Sequence, residues 1–226
     1  MEVTIGDCTL YQGDCLEFID GLPAYQAVVT DPPYGIGTMV GGYGRAGRTI
    51  ANDADLTVCH EVITRLWDRH ESMWLVAFYS CRITPQFMFG MPHQHYYGDI
   101  VWDKAVPGMG AGIRYQHENA AVFKKGDVTP SDTIFSVIRQ QRIADVHPHE
   151  KPTGLMVRLC QLTSGVVVDP FMGSGSTGAA CARLGRKFIG IELDSAHFDA
   201  ACRKIEAEYK NGDMFYEHID EQGRLL

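Results

Sequence analysis

The chain has 226 residues, 45% hydrophobic and 21% charged, a balance that fits an ordinary folded domain and excludes a disordered or disulfide-dense chain. Its net charge of −8 gives no global attraction to polyanions, so any contact with nucleic acid needs a local basic patch. The longest apolar run, Met73 to Tyr79, is far short of the roughly 18 residues of a membrane span, and MEVTIGDCTL lacks the basic-then-apolar order of a signal peptide. The expectation is one cytoplasmic domain over 1–226 with no membrane contact.

In chain order, the expected elements are strand Thr9 to Gln12, helix Cys15 to Asp20, strand Ala27 to Thr30, helix Leu56 to Arg69 and strand Trp74 to Tyr79. Helix Thr84 to Gly90 follows, then strands Asp99 to Trp102 and Ala120 to Phe123. The last part reads as helix Thr153 to Leu162, strand Val166 to Asp169, helix Ser176 to Leu184, strand Lys187 to Ile191 and helix Ser195 to Tyr209. Short apolar runs ending in turn residues and alternating with helices predict an α/β fold with a mainly parallel sheet and helices on both faces. Two stretches, about 35–55 and 124–146, fit neither pattern and read as irregular loops. Long irregular segments of this kind serve as lids or binding loops.

The stretch Gly165 to Asp194 places a strand, a glycine-rich turn, a helix and a second strand in succession. Gly173, Gly175 and Gly178 spell G-x-G-x-x-G, with Glu192 about 20 residues on, as in a dinucleotide fingerprint. Two details oppose that reading. Asp169 would put a negative charge where a pyrophosphate needs a positive helix end, and little chain follows Glu192. S-adenosylmethionine meets both objections: Asp169 would lie near its cationic amino-acid part, Gly173 and Gly175 would allow close backbone approach, and Glu192 would accept from the ribose hydroxyls.

The second motif is Asp31-Pro32-Pro33-Tyr34, directly after the apolar Val28-Val29. A buried parallel strand delivers functional groups at its C-terminal end. The prolines fix φ near about −65° and donate no hydrogen bond. An exocyclic amino group of adenine or cytosine is a poor nucleophile, because its lone pair is delocalised into the ring. Held through its two hydrogens by the Asp31 carboxylate and the Pro32 carbonyl, the nitrogen can pyramidalise and aim that pair at an activated methyl. Tyr34 would stack on the base, which must first leave the duplex.

With GDCLEFI, TDPPYG, IVWDK, RYQHENAAVFKKG, HPHEKP and DPFMGSGSTG in this order, the chain resembles the amino-methylating DNA methyltransferases. These are the N6-adenine and N4-cytosine group, here in the permuted β-class order where DPPY precedes the cofactor loop. The resemblance implies a Rossmann-like, circularly permuted, seven-stranded methyltransferase sheet, S-adenosylmethionine as cofactor, and double-stranded DNA with a flipped-out base as substrate. It implies catalytic positions at Asp31, Pro32, Pro33 and Tyr34. Cofactor positions would be Asp14, Asp31, His147, Lys151, Asp169, Pro170, Phe171, Gly173, Ser174, Gly175, Ser176, Thr177, Glu192 and Leu193. DPPY, rather than the SPPY often seen in cytosine enzymes, favours adenine N6. Departures are His149 and Glu150 in HPHEKP, where Thr and Gln are more usual. The short stretch between His117 and His147 also leaves no room for a large recognition domain.

Arg45, Arg48, Arg139 and Arg142 are candidate phosphate contacts, and the glycine-rich stretch after Tyr34 is a candidate lid over the flipped base. The paired histidines lack partners at metal-ligand spacing, so no metal is expected. Trp67, Trp74 and Trp102 read as core, and the seven cysteines, without any C-x-x-C pair, as reduced thiols. Monomer and homodimer both fit. The alternatives are methylation of cytosine N4, methylation of RNA or a protein glutamine amide, and a non-catalytic DNA-binding protein on the same fold.

Overall fold

The computed structural model describes residues 1–33, 56–107, 112–141 and 150–216, with side chains through residue 211. Nine strands among the described residues form one sheet: β1 (Glu2–Ile5), β2 (Cys8–Gln12), β3 (Ala27–Thr30), β4 (Met73–Tyr79), β5 (Tyr96–Asp103), β6 (His117–Lys125), β7 (Val137–Arg139), β8 (Val167–Asp169) and β9 (Phe188–Glu192). The order is β1-β2-β9-β8-β3-β4-β6-β5-β7. From β2 to β4 all neighbours are parallel, whereas β6 runs antiparallel to both β4 and β5. The helices are α1 (Cys15–Phe18), α2 (Thr57–Asp68), α3 (Thr84–Phe89), α4 (Thr153–Leu162), α5 (Ser176–Arg183) and α6 (Ser195–Tyr216). No helix among the described residues is long and apolar enough to cross a membrane.

The expected fold class stands, and the central strands show why it was readable. Successive residues of a strand point to opposite faces, and here both faces are covered. Ala27 and Val29 of β3, with Trp74, Val76 and Phe78 of β4, enter one core with Leu155, Leu159, Phe198 and Ile205 of the last helices. Val28, with Met73, Leu75 and Ala77, enters the other, against Cys59, Val62, Ile63 and Leu66 of α2. A strand buried on both sides reads as an unbroken apolar run.

The departures lie at the edges. The structure adds β1 and β7 to the seven expected strands, and β7 falls inside the 124–146 stretch that had been read as irregular. Its three residues, Val137, Ile138 and Arg139, have at most one half-buried side chain, so no burial period marks them. β1 is half exposed and pairs with β2 across a two-residue turn at Gly6 and Asp7.

Position dictates two glycines of the turn between β8 and α5 and a third within α5. Gly175 caps α5 in a left-handed conformation with φ +84°, and a β-carbon there would lie 2.7 Å from the Ala201 β-carbon on α6. A β-carbon at Gly178 would stand 2.5 Å from Ile205 Cδ1, so this glycine lets α5 lie against α6 and β9. At Gly173, with φ +53°, the same construction meets nothing within 4 Å. We predict that Gly175→Ala lowers stability by about 2–4 kcal/mol through the left-handed backbone and the overlap with α6. Urea denaturation reads this directly, and an unchanged midpoint would refute the packing role.

Candidate active site

The strand order reverses between β8 and β3: the chain winds outward from β3 to β4 on one side and from β8 to β9 on the other. Open α/β sheets hold their ligands at such a reversal, outside the C-terminal ends of the strands. Four acids follow or end the strands on this edge: Asp14 after β2, Glu192 on β9, Asp169 on β8 and Asp31 after β3.

Asp169 closes the turn from within. One carboxylate oxygen accepts from the Thr30 hydroxyl at 2.7 Å and the Phe171 N–H at 3.1 Å, and the other accepts from the Thr177 hydroxyl at 2.6 Å. The residue is only 2% exposed. Burial pushes its pKa up to about 6, against these three donors, which favour the charged form. The sequence had turned Asp169 toward a cationic ligand. The structure instead puts its carboxylate beneath the turn, where it ties β3 to the start of α5.

The turn's outer face belongs to Gly173 and Glu192. The Gly173 N–H donates to Glu192 Oε2 at 2.9 Å, and the Asp194 N–H donates to Oε1 at 2.8 Å. Burial raises the pKa of Glu192 despite these bonds. A carboxylate has about four acceptor sites, so both oxygens retain capacity for further donors. Gly173 also has open space at its β-carbon position, a fit for a ligand resting on the backbone. The two glycines expected to admit a cofactor thus differ: Gly173 faces open space, while Gly175 faces α6.

Beside this turn stands a buried charge cluster. The Lys151 ammonium pairs with Asp31 Oδ2 and lies 3.1 Å from Glu118 Oε2, while Lys104 pairs with Glu118 Oε1. Only 7% of the Lys151 side chain is exposed, and its nitrogen lies 4.9 Å from the Phe78 ring centroid. Burial disfavours the Lys151 charge, but the Asp31 and Glu118 carboxylates outweigh it and hold the pKa above the ordinary lysine value. Burial likewise opposes the Glu118 charge, yet Lys151 and Lys104 take its pKa down to about 2. Lys151, expected on the cofactor side, is thus joined to Asp31.

Of the remaining expected positions, Asp14 caps α1 by accepting from the Leu16 N–H at 3.0 Å. Pro32 and Pro170 are buried, Pro33 is half-buried, and Leu193 is exposed. Ser174 and Ser176 accept from the Lys204 ammonium at 3.5 and 3.3 Å, and the same ammonium pairs with Glu150. Arg139 is 72% exposed and stands 3.7 Å from Asp103. Tyr34, Arg45, Arg48, Arg142 and His147, with the candidate lid, lie outside the described residues. Sequence reasoning missed Thr30, Glu118 and Lys204. For Glu118 the signal was a charged residue two positions before the apolar run Ala120 to Phe123.

A carboxylate whose pKa falls on folding contributes stability above its ordinary value and loses it as pH drops. For Glu118 that window runs from 4.5 down to about 2 and is worth about 3 kcal/mol. Glu118→Gln should therefore destabilise the fold by about 3 kcal/mol at pH 7, and the gap to the unaltered chain should close as pH falls through the window. A gap that stays constant in denaturation series at these pH values would rule out the charge effect.

Comparisons with known proteins agree with this geometry. The profile of the DNA methylase family (N6_N4_Mtase) matches residues 25–203. YubD of Escherichia coli (strain K12), which is named as a methylase, is 32% identical over 209 residues, covering 87% of this chain and 89% of YubD. Type II methyltransferase M2.DpnII of Streptococcus pneumoniae is 38% identical over a shorter stretch, 30% of this chain and 26% of that protein. Among solved structures, the M1.HpyAVI–SAM complex superposes with a TM-score of 0.69 at 23% identity, covering 88% of this chain and 98% of that one. The cytosine-N4-specific PvuII DNA methyltransferase superposes with a TM-score of 0.60 at 16% identity, covering 92% and 93%. On the strength of the family match and the full-length likeness to YubD, the chain belongs to the N6/N4 amino-methylating DNA methylases.

Proposed function

We propose that the chain transfers a methyl group from S-adenosylmethionine to the exocyclic N6 of adenine in double-stranded DNA. The observation that carries this reading is the hydrogen bond from Thr30 to Asp169. It holds the turn bearing Asp31 against the turn bearing Gly173, and this adjacency supports a substrate position and a cofactor position side by side at one sheet edge.

The cofactor, when bound, supplies an electrophilic methyl on a sulfonium. Gly173 is open to its approach, and Glu192 accepts the ribose hydroxyl hydrogen bonds. Asp31 and the Pro32 carbonyl take the two amino hydrogens of the flipped base and turn the nitrogen lone pair toward the methyl carbon. The cofactor would give up the methyl carbon and retain the electron pair of its sulfur–carbon bond, so the transfer would balance without a further reactant. Positive charge grows on the nitrogen, where the Asp31 carboxylate stabilises it. The surplus proton then leaves past Asp31 to solvent, which reaches 29% of that side chain.

Adenine is favoured by the aspartate that opens DPPY. Cytosine N4 is the second reading, supported by the fold shared with the cytosine-N4-specific PvuII enzyme. Exposed Arg139 is a candidate phosphate contact at the rim.

Incubation of unmodified DNA with methyl-labelled cofactor, followed by nucleoside analysis, should yield label in N6-methyldeoxyadenosine. Label in N4-methyldeoxycytidine would select the second reading, and unlabelled DNA would exclude both. Asp31→Ala should cut transfer by about 100-fold or more; transfer at the unaltered rate would overturn the proposed role. Gly173→Ala should weaken cofactor binding about tenfold by intruding on the open face. Unchanged affinity in calorimetry would remove Gly173 from the cofactor surface.

A further inference from the structure

We infer that Lys151, anchored by Glu118, is the positioning residue for the Asp31 carboxylate. The inference rests on the functional reading above and adds two residues to it: one assigned by sequence to the cofactor side and one assigned to nothing.

The geometry is a chain of contacts leading away from the reacting atoms. Asp31 follows β3 at the sheet edge with part of its side chain open to solvent, and its Oδ2 is gripped by the Lys151 ammonium. That ammonium is almost wholly enclosed, with the Phe78 ring centroid at 4.9 Å and that of Trp102 at 6.0 Å. An enclosed ammonium is costly without carboxylate partners. Lys151 therefore cannot withdraw from Asp31 and Glu118 without a penalty that a surface lysine would not incur. Phe78 stands on β4, Glu118 on β6 and Trp102 on β5, so the grip on Asp31 is referred back to three strands. Asp31 itself is followed by two prolines, which stiffen the backbone and leave the carboxylate's orientation to be set by its partners.

Glu118 also acts as a counterweight. A cation touching Asp31 offsets part of the negative charge that is to stabilise a positively charged nitrogen. With Glu118 on its other side and Lys104 beyond, these ion pairs among the described residues set two ammonium groups against two carboxylates. The Lys151 charge is thereby shared, and Asp31 is held in place without being neutralised by its holder. This requires Lys151 to act on the rate of transfer rather than on the affinity of either substrate.

The test uses the full chain in four forms, unaltered, Lys151→Met, Lys151→Arg and Asp31→Ala, with circular dichroism to establish that each is folded. For each, methyl transfer to DNA gives kcat and KM, and calorimetry gives the affinity for S-adenosylmethionine without turnover. We expect Lys151→Met to lose about 100-fold in kcat, as for a displaced reacting group, with KM for DNA and cofactor affinity close to those of the unaltered chain. Lys151→Arg, which can still span two carboxylates, should recover a substantial part of the loss. Transfer by Lys151→Met near the unaltered rate, while Asp31→Ala is inactive, overturns this inference alone. A rate loss matched by an equal loss of cofactor affinity also overturns it and returns Lys151 to the cofactor. Absence of transfer by the unaltered chain overturns the functional reading and this inference together. If Lys151→Met fails to fold, the arginine form decides: a folded chain that keeps a substantial part of kcat with intact cofactor binding supports the grip, and full loss of kcat or loss of cofactor affinity overturns it.

Discussion

The fold depends on one buried carboxylate. Asp169 ends β8, and three donors from three places converge on it: the Thr30 hydroxyl from β3, the Thr177 hydroxyl from α5 and the Phe171 N–H from the turn itself. Removing a carboxylate from water is expensive unless it is hydrogen-bonded, and here the bonds do not fully offset the cost. Its pKa stands near 6 in the fold against an ordinary 3.8, so folding raises the pH at which it ionises. The stability this group contributes is present at low pH and is lost as pH rises through about 6. A sequence optimised only for stability would not keep an acid there. What the acid secures is the mutual placement of two turns, and that placement makes a shared crevice possible.

Asp31 and Asp169 are neighbours by the same construction, and the Asp31 charge adds to the cost of charging Asp169. The chain separates their circumstances. Asp169 is sealed under hydroxyls and one N–H, whereas Asp31 is partly open to solvent beside an ammonium. Lys151 pairs with Asp31 and offsets the repulsion, and Glu118 and Lys104 extend the compensation to β6 and the residue after β5. The antiparallel pairing of β6 with β4 makes this extension possible, because it brings the first residues of β6 to the edge where β4 ends: Asn119 stands opposite Tyr79. A parallel strand in that place would have put its last residues there instead.

How much of this was legible in the sequence follows from what each signal measures. β3 was bounded correctly because both its faces are buried and Asp-Pro-Pro follows immediately, and α4 because Pro152 sits at its N-cap. β1 and β7 escaped because edge strands bury too little for periodicity to register, although the Gly6-Asp7 pair between alternating residues was a hairpin signal for β1. The acids of the crevice were found by their place after strands. Their surroundings were not, since Thr30 and Asp169 are 139 residues apart and Lys151 and Asp31 are 120 apart, and no local pattern encodes such pairs. Asp169 was therefore read as facing a ligand, and Lys151 was read with the cofactor half of its motif.

The permuted order of the chain adds a constraint of its own. In the sheet β2 lies beside β9, parallel and in register from Cys8 with Phe188 to Gln12 with Glu192, although the two strands come from opposite parts of the sequence. The Tyr209 hydroxyl on α6 accepts from the Asp7 N–H at 2.9 Å, so the helix after β9 reaches the turn that leads into β2. This is the contact a direct connection from α6 to β2 would make covalently. Asp14 and Glu192, side by side on the edge, are accordingly brought together by packing alone. A crevice assembled from both halves of the chain is complete only when the last helix has docked. Gly175 and Gly178 allow that docking by removing side-chain bulk where α5 meets α6. The glycine turn thus serves two surfaces: its first glycine is left open to the crevice, and the other two are used to bring the final helix home.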